Sequence, residues 1–159
     1  MAVELTTKRF FLRELTQADA KPSYLAWFQQ PDIQQYISHV PHNLVEIADY
    51  INSCCENNTL YLIGIFDEHQ QHIGNVRYEY EYGTNQKANM GIIIGSADWR
   101  GKGVASEVII ATANYFKEHK GTEEIILGVD SLNTSAIKAY EKIGFKEKEK
   151  LLDQGPEKI

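Results

Sequence analysis

Cysteine is scarce in this 159-residue chain, with only two residues, adjacent at Cys54 and Cys55. Neighbouring cysteines seldom meet disulfide geometry, so a reduced, cytoplasmic protein is expected. No Cys-x-x-Cys or Cys/His spacing suggests zinc, and no metal ligand is nominated. Long apolar runs are missing as well. The segment from Met1 to Thr7 lacks the apolar core of a signal peptide, and no stretch approaches membrane-spanning length. Positive charge is in short supply, because 16 Lys and Arg face 22 Asp and Glu, for a net −6. That balance argues against broad nucleic-acid binding but leaves room for one local basic pocket that holds a small polyanion.

What remains is the composition of a soluble globular domain, 43% apolar and 24% charged. The length suits a single domain over residues 1–159, large enough to bury a core without disulfide or metal staples. Lys8 to Glu14 reads as a first strand. Thr16 with Asp19 opens a helix that carries Ala18, Leu25 and Phe28 inward and stops near Pro31, followed by a short helix from Asp32 to Ile37. Asn43 with Glu46 caps another helix, where Leu44, Ile47, Ala48 and Ile51 recur at helical spacing up to about Cys55. Leu60 to Phe66 and His72 to Tyr82 form a hairpin around a polar turn. Asn89 to Gly95 follows, and its Ile92-Ile93-Ile94 run implies burial on both faces. A helix to about His119 would bury Val104, Val108, Ala111, Thr112 and Tyr115. A buried strand from Ile125 to Val129, a helix from Thr134 to Ile143 and a last strand near Lys148 to Leu152 complete an α+β chain. The sheet is mixed and mostly antiparallel, with one late parallel crossover.

Two segments carry chemistry. Arg100-Gly101-Lys102-Gly103-Val104-Ala105 links a buried strand to a long helix. The first amides of a helix have no internal partner and its dipole favours an anion there. Gly101 and Gly103 would let phosphate oxygens approach the backbone, and Arg100 and Lys102 add positive charge. The same residues read equally well as a tight strand-to-helix turn. A Walker loop is excluded because Gly103 follows Lys102, and a dinucleotide fingerprint because Ser106 stands where a third glycine is needed. Later, Asn133 precedes a helix in which Tyr140 lies two turns along on the same face, before Gly144 and Phe145. Taken alone, Asn133 is a helix cap and Tyr140 a half-buried core aromatic.

Together and in this order, the two segments resemble the Gcn5-related N-acetyltransferase (GNAT) superfamily. Its Arg/Gln-x-x-Gly-x-Gly/Ala signature is matched by Arg100, Gly103 and Ala105, and its later motif by Asn133, Ala136, Tyr140, Gly144 and Phe145. The opening from Arg9 to Leu15 and the segment Tyr24 to Trp27 look like the branch with ribosomal-protein and amino-sugar acetyltransferases. The resemblance implies a GNAT-like sheet of six or seven strands flanked by helices, with acetyl-CoA as cosubstrate. It also implies roles for named residues. Gly101, Lys102, Gly103, Val104 and Ala105 would bind the pyrophosphate, behind Arg100. The backbone of Ile92, Ile93 and Ile94 would pair with the pantetheine arm across a splay between the strands ending at Gly95 and Val129. Asn133 would hold the same arm and Tyr140 would face the sulfur.

The expected reaction is direct attack of a primary amine on the thioester; the alternative is a non-catalytic acetyl-CoA-binding module. Acceptors in view are an amino sugar, a small amine or a protein N-terminus. Many relatives carry Glu where this chain has Met90, so the usual carboxylate base is missing there. A chain without it is expected to favour an α-amine, partly neutral near pH 7, over a lysine amine near 10.4. Glu79, ahead of Glu81 and Asp130, is the candidate for a water-mediated base, and a solvated hairpin charge is the competing reading. Tyr78, Tyr80 and Tyr82 could line a substrate cleft or face a helix, and His39 and His42 could reach an acceptor site or be merely solvated. Trp27 reads as core. The short stretch after Phe145 would leave the seventh strand absent, reduced to a Glu157–Ile159 stub, or replaced by pairing in a homodimer.

Overall fold

The computed structural model describes residues 2–147 except 36, 38 and 82. Six strands form one sheet in sequence order, β1 (Glu4–Thr6), β2 (Phe11–Glu14), β3 (Leu60–Phe66), β4 (His72–Tyr80), β5 (Lys87–Ile94) and β6 (Glu124–Leu127). All neighbours are antiparallel except β5 and β6, which are parallel. The helices are α1 (Pro22–Trp27), α2 (Pro31–Gln34), α3 (Leu44–Glu56), α4 (Val104–Lys120) and α5 (Thr134–Ile143). This is the expected α+β architecture, with one parallel crossover through α4.

Each face of the sheet carries its own core. Leu12, Ile63, Val76, Tyr78, Met90 and Ile92 pack with Val108 and Phe116 of α4, and Tyr140 of α5 borders that cluster. On the other face, Leu62 and Ile93 pack with Tyr24 and Trp27 of α1 and with Ile47 and Ile51 of α3. Period-2 alternation along β5 divides its residues between the two cores.

Five expectations are corrected. The opening is a hairpin, because Val3 is buried, Leu5 pairs with Leu12 and the Thr7 N–H donates to the Phe10 carbonyl at 2.8 Å. The first helix is broken. A 3-10 turn, Gln17–Asp19, leaves Ala18 exposed, and α1 restarts at Pro22, whose fixed φ and missing N–H suit a first helical position. The helix predicted over Asp32 to Ile37 is a single turn ending at Gln34. In α4, Phe116 is fully buried while Tyr115 is only half-buried. The strand β6 is also half-buried rather than enclosed, since it is the last strand of the described sheet. Tyr82, the strand near Lys148 to Leu152 and the Glu157–Ile159 stub lie outside the described residues.

Candidate functional site

The strand β5 outruns its parallel partner. Pairing with β6 proceeds from Lys87 opposite Glu124 to Met90 opposite Leu127 and stops, while β5 stays paired with β4 as far as Ile94. The expected splay is therefore bounded by Gly91–Ile94. Backbone groups of successive strand residues point to opposite sides. The Gly95 N–H donates to the Ile73 carbonyl at 2.9 Å, towards β4, and the Gln86 carbonyl accepts from the Glu124 N–H at 3.0 Å, towards β6. Even positions thus face the gap and odd positions face β4. Ile92 and Ile94 present backbone groups to the opening. Those of Ile93 point at β4, which removes Ile93 from direct pairing with any ligand strand.

The turn after β5 leads to the mouth of α4. Gly101 and Gly103 adopt φ of 71° and 75°, a region that favours glycine, and Gly103 is the N-cap without a side-chain capping bond. The Glu107 N–H donates to the Gly103 carbonyl, but no described group accepts from the six amides of Gly101 to Ser106. That run of unpaired donors at a positive helix end has the geometry and polarity that could hold an anion. Arg100 does not lean into it. Its Nε donates to the Ile94 carbonyl at 3.3 Å and its Nη2 to Gln30 Oε1 at 2.8 Å, with Asp32 Oδ2 3.5 Å from Nη1. The Lys102 ammonium lies 5.7 Å from the Trp99 ring centroid.

Arg9, which sequence reasoning did not nominate, reaches this mouth from the β1–β2 turn. Its Nε and backbone N–H bind the Glu107 carboxylate at 2.7 and 2.8 Å, and a Cβ on Gly103 would lie 3.8 Å from its Nη2. Burial works against the Glu107 charge, but hydrogen bonds from Thr7 and Arg9 outweigh it and hold the carboxyl below its ordinary range. No local pattern could have revealed Arg9, since its partner is almost a hundred residues away.

Asn133 caps α5, as its Oδ1 accepts from the Ala136 N–H at 3.4 Å, which leaves its amide NH2 for other work. Tyr140 lies half-buried beside Phe145, with ring centroids 6.1 Å apart, and no described group hydrogen-bonds its hydroxyl. Burial raises its pKa, so the phenol is fully protonated near neutral pH.

On the face opposite α4, Glu79 stands across β4–β5 from Asn89, and Arg77 from Gly91. Glu79 Oε1 is 3.4 Å from Arg77 Nη2, and the Glu79 side chain is 41% exposed. The Arg77 Nε is buried without a partner among the described residues. Tyr78 and Tyr80 point the other way and bond Thr112 and Thr122 at 2.7 Å, so both are core rather than cleft. Met90 shares that core at 4% exposure. Asn89 and Gly91, not Met90, are the β5 residues turned towards the α1 and α3 side, and the alternation Ala88, Met90, Ile92 could have said so. Trp27 is buried, while Glu81, His39 and His42 are exposed and Asp130 Oδ1 accepts from the Leu132 N–H at 2.8 Å. A groove of about 1050 Å³, bordered by Arg9, Arg13, Trp27, His72 and Ser96, opens at the same end of the sheet as the α4 mouth. Among the described residues, no three His, Cys, Asp or Glu side chains gather as a metal site, and no helix is long and apolar enough to cross a membrane.

The chain is similar to the spermidine N-acetyltransferase of Vibrio cholerae in complex with CoA and spermine, at 23% identity and a TM-score of 0.81, over 92% of this chain and 86% of that one. It is also similar to an acetyltransferase of the GNAT family from Bacillus anthracis, at 18% identity and 0.79, over 92% and 86%. The ribosomal-protein-S5-alanine acetyltransferase of Vibrio fischeri follows at 15% and 0.77, over 91% and 83%. At these identities the likeness speaks for the fold. No curated protein matches the chain. Residues 9–146 match the Acetyltransferase (GNAT) domain, a span that holds the β5 opening, the α4 mouth and Tyr140. The chain belongs to the GNAT family of N-acetyltransferases.

Proposed function

We propose that this protein transfers the acetyl group of acetyl-CoA to an α-amine or another amine of low pKa, such as a peptide N-terminus or an amino sugar. The observation that carries the reading is the run of six amides at the α4 mouth, set beside the edge of β5 from Gly91 to Ile94, both without partners among the described residues. Those residues fit the coenzyme, because a diphosphate needs converging donors and an extended amide arm needs a free strand edge. Gly101 to Ser106 would hold the diphosphate. The Ile92 N–H and C=O and the Ile94 N–H would pair with the arm, the Ile94 carbonyl being taken by Arg100. The NH2 of Asn133 would add a donor. The bound coenzyme supplies an activated thioester, and one sheet shared by both cores supports reading 1–159 as a single domain.

Tyr140 is suited to donating a hydrogen bond to the departing sulfur rather than a full proton. An ordinary phenol at about 10 is already uphill by about 2 kcal/mol against a thiol near 8.5, and burial raises Tyr140 further. Tyr140→Phe is expected to lower kcat by roughly 100-fold, within the range for a positioned proton donor. The KM for acetyl-CoA should change less than about twofold, because the hydroxyl acts after binding. Unchanged kcat in steady-state assays would remove the role.

The acceptor class follows from which bases are absent. No carboxylate projects from β5 on either face, so deprotonation falls to Glu79 through water, in an ion pair with Arg77. An α-amine near 7.8 needs little help, whereas a lysine-like amine near 10.4 needs a strong base. Acetyl-CoA turnover is to be measured side by side with N-terminal peptides, nucleotide amino sugars and polyamines. Turnover with peptides or amino sugars supports the reading, and turnover with polyamines alone overturns it. Tight coenzyme binding with no turnover on any amine would favour the non-catalytic module.

A further inference from the structure

We propose that Gln30 is a positioning residue for the coenzyme turn, acting through Arg100. The inference rests on the reading that the amides of Gly101 to Ser106 hold the diphosphate. Gln30 closes the gap between α1 and α2, on the face of the sheet opposite α4. Its side-chain amide is bonded at both ends. Nε2 donates to the Gly95 carbonyl at 2.8 Å, and Oε1 accepts from Arg100 Nη2 at 2.8 Å. Arg100 in turn donates from Nε to the Ile94 carbonyl, and Asp32 of α2 lies 3.5 Å from its Nη1. The end of β5, the guanidinium and the α1–α2 segment are thereby joined in one ring of polar contacts.

The position of that ring gives it a role. Two glycines at positive φ, Gly101 and Gly103, make the turn adaptable, and an adaptable turn loses conformational entropy when it grips a ligand. Order is lent from its two flanks. On the helix side, Val104 is anchored in the core at 2% exposure. On the strand side, Arg100 is the last residue before Gly101, and the bond to Gln30 is the shortest polar contact its guanidinium makes among the described residues. Arg100 therefore serves the cradle by being held back from it. Gln30 sets where the cradle begins, so that the amides converge before the coenzyme arrives.

Gln30→Met keeps the length of the side chain and removes both polar ends, Arg100→Ala removes the partner, and the double variant closes a thermodynamic cycle. Calorimetric titration with CoA is expected to give a Kd raised about 5- to 10-fold by each single substitution, and no further by the pair. The kcat of Gln30→Met at saturating acetyl-CoA should stay within about twofold, since binding and not chemistry is loosened. An unchanged Kd in Gln30→Met, or additive losses in the double variant, would overturn the positioning role. Thermal melts without coenzyme separate folding from positioning. If Gln30→Met does not fold, Gln30→Leu and Gln30→Ala run through the same cycle. Failure of the unaltered protein to bind CoA at millimolar concentration would instead strike the reading of the α4 mouth.

Discussion

His72, the first residue of β4, is enclosed by the rings of Tyr24, Trp27 and Phe66, and its Nε2 lies 2.6 Å from Asn75 Oδ1. Burial pushes its pKa down to about 4, against an upward pull from Asn75 and Asp19, while Arg13 adds to the depression. The unfolded imidazole titrates near 6.5, so between pH 6.5 and 4 the unfolded chain takes up a proton that the native ring refuses. Stability must then fall as pH drops through that window, by up to about 1.4 kcal/mol per unit, or about 3 kcal/mol in all. Urea unfolding at several pH values is expected to show this slope, and His72→Gln to flatten it. A further decline below pH 4 belongs to Asp19 and Glu107. Burial opposes both charges, yet hydrogen bonds from Arg13 and the Thr16 N–H at Asp19, and from Thr7 and Arg9 at Glu107, hold both carboxyls below their ordinary values. None of this was legible beforehand. His72 reads in sequence only as the first residue of a strand, and its cage is assembled from α1 and the end of β3. The positions of Tyr140 and of the glycines of the α4 turn were legible, because they depend on spacing along one element.

At the scale of elements, α4 is bounded by two left-handed glycines, Gly103 at φ 75° and Gly121 at φ 71°. Alanine in that conformation costs about 1 kcal/mol at either end. Neither site is crowded, since a Cβ on Gly103 meets only Arg9 Nη2 at 3.8 Å and one on Gly121 meets nothing within 4 Å. Denaturant melts should therefore show similar stability losses for Gly103→Ala and Gly121→Ala. Only Gly103→Ala should also weaken CoA binding, because only that end carries the cradle. Equal affinity in the two variants would place the diphosphate elsewhere. Caps explain which helices could be read in advance. Asn43 accepts from the Glu46 N–H, Asn133 from Ala136, and Gly144 at φ 125° ends α5, all within four residues of the boundary they mark. The opening hairpin has no such mark. It is held by the Val3 N–H on the Glu14 carboxylate and by Thr7 on Glu107, contacts that exist only after folding.

At the scale of the whole molecule, the sheet runs in chain order from β1 to β6. The antiparallel run β3–β4–β5 and the parallel step to β6 were legible from their polar turns and the long helix between β5 and β6, whereas β1 and the place of β2 beside β3 were not. Which faces would be covered was less so. An unbroken apolar run such as Ile125 to Leu127 promises burial on both sides, yet as the last strand of the described sheet it is half-buried. A ligand that bridges β5 and the α4 mouth binds only the folded chain and must raise its melting temperature. At 100 times Kd the gain is about 2.7 kcal/mol, or roughly 5–10 °C for a chain of this size. Differential scanning fluorimetry with CoA measures it, and a flat melting temperature at millimolar CoA would count against the site.

The packing of Trp27 onto Gly95 leaves no room there for even a methyl group, as a Cβ would fall 1.9 Å from the indole. Trp99 stands at the far side of the same turn, edge-on to Phe10. These are the only two tryptophans in the chain. With one indole at each side of the turn ahead of the proposed cradle, the chain's intrinsic ultraviolet emission is expected to change as coenzyme loads there, without any attached dye.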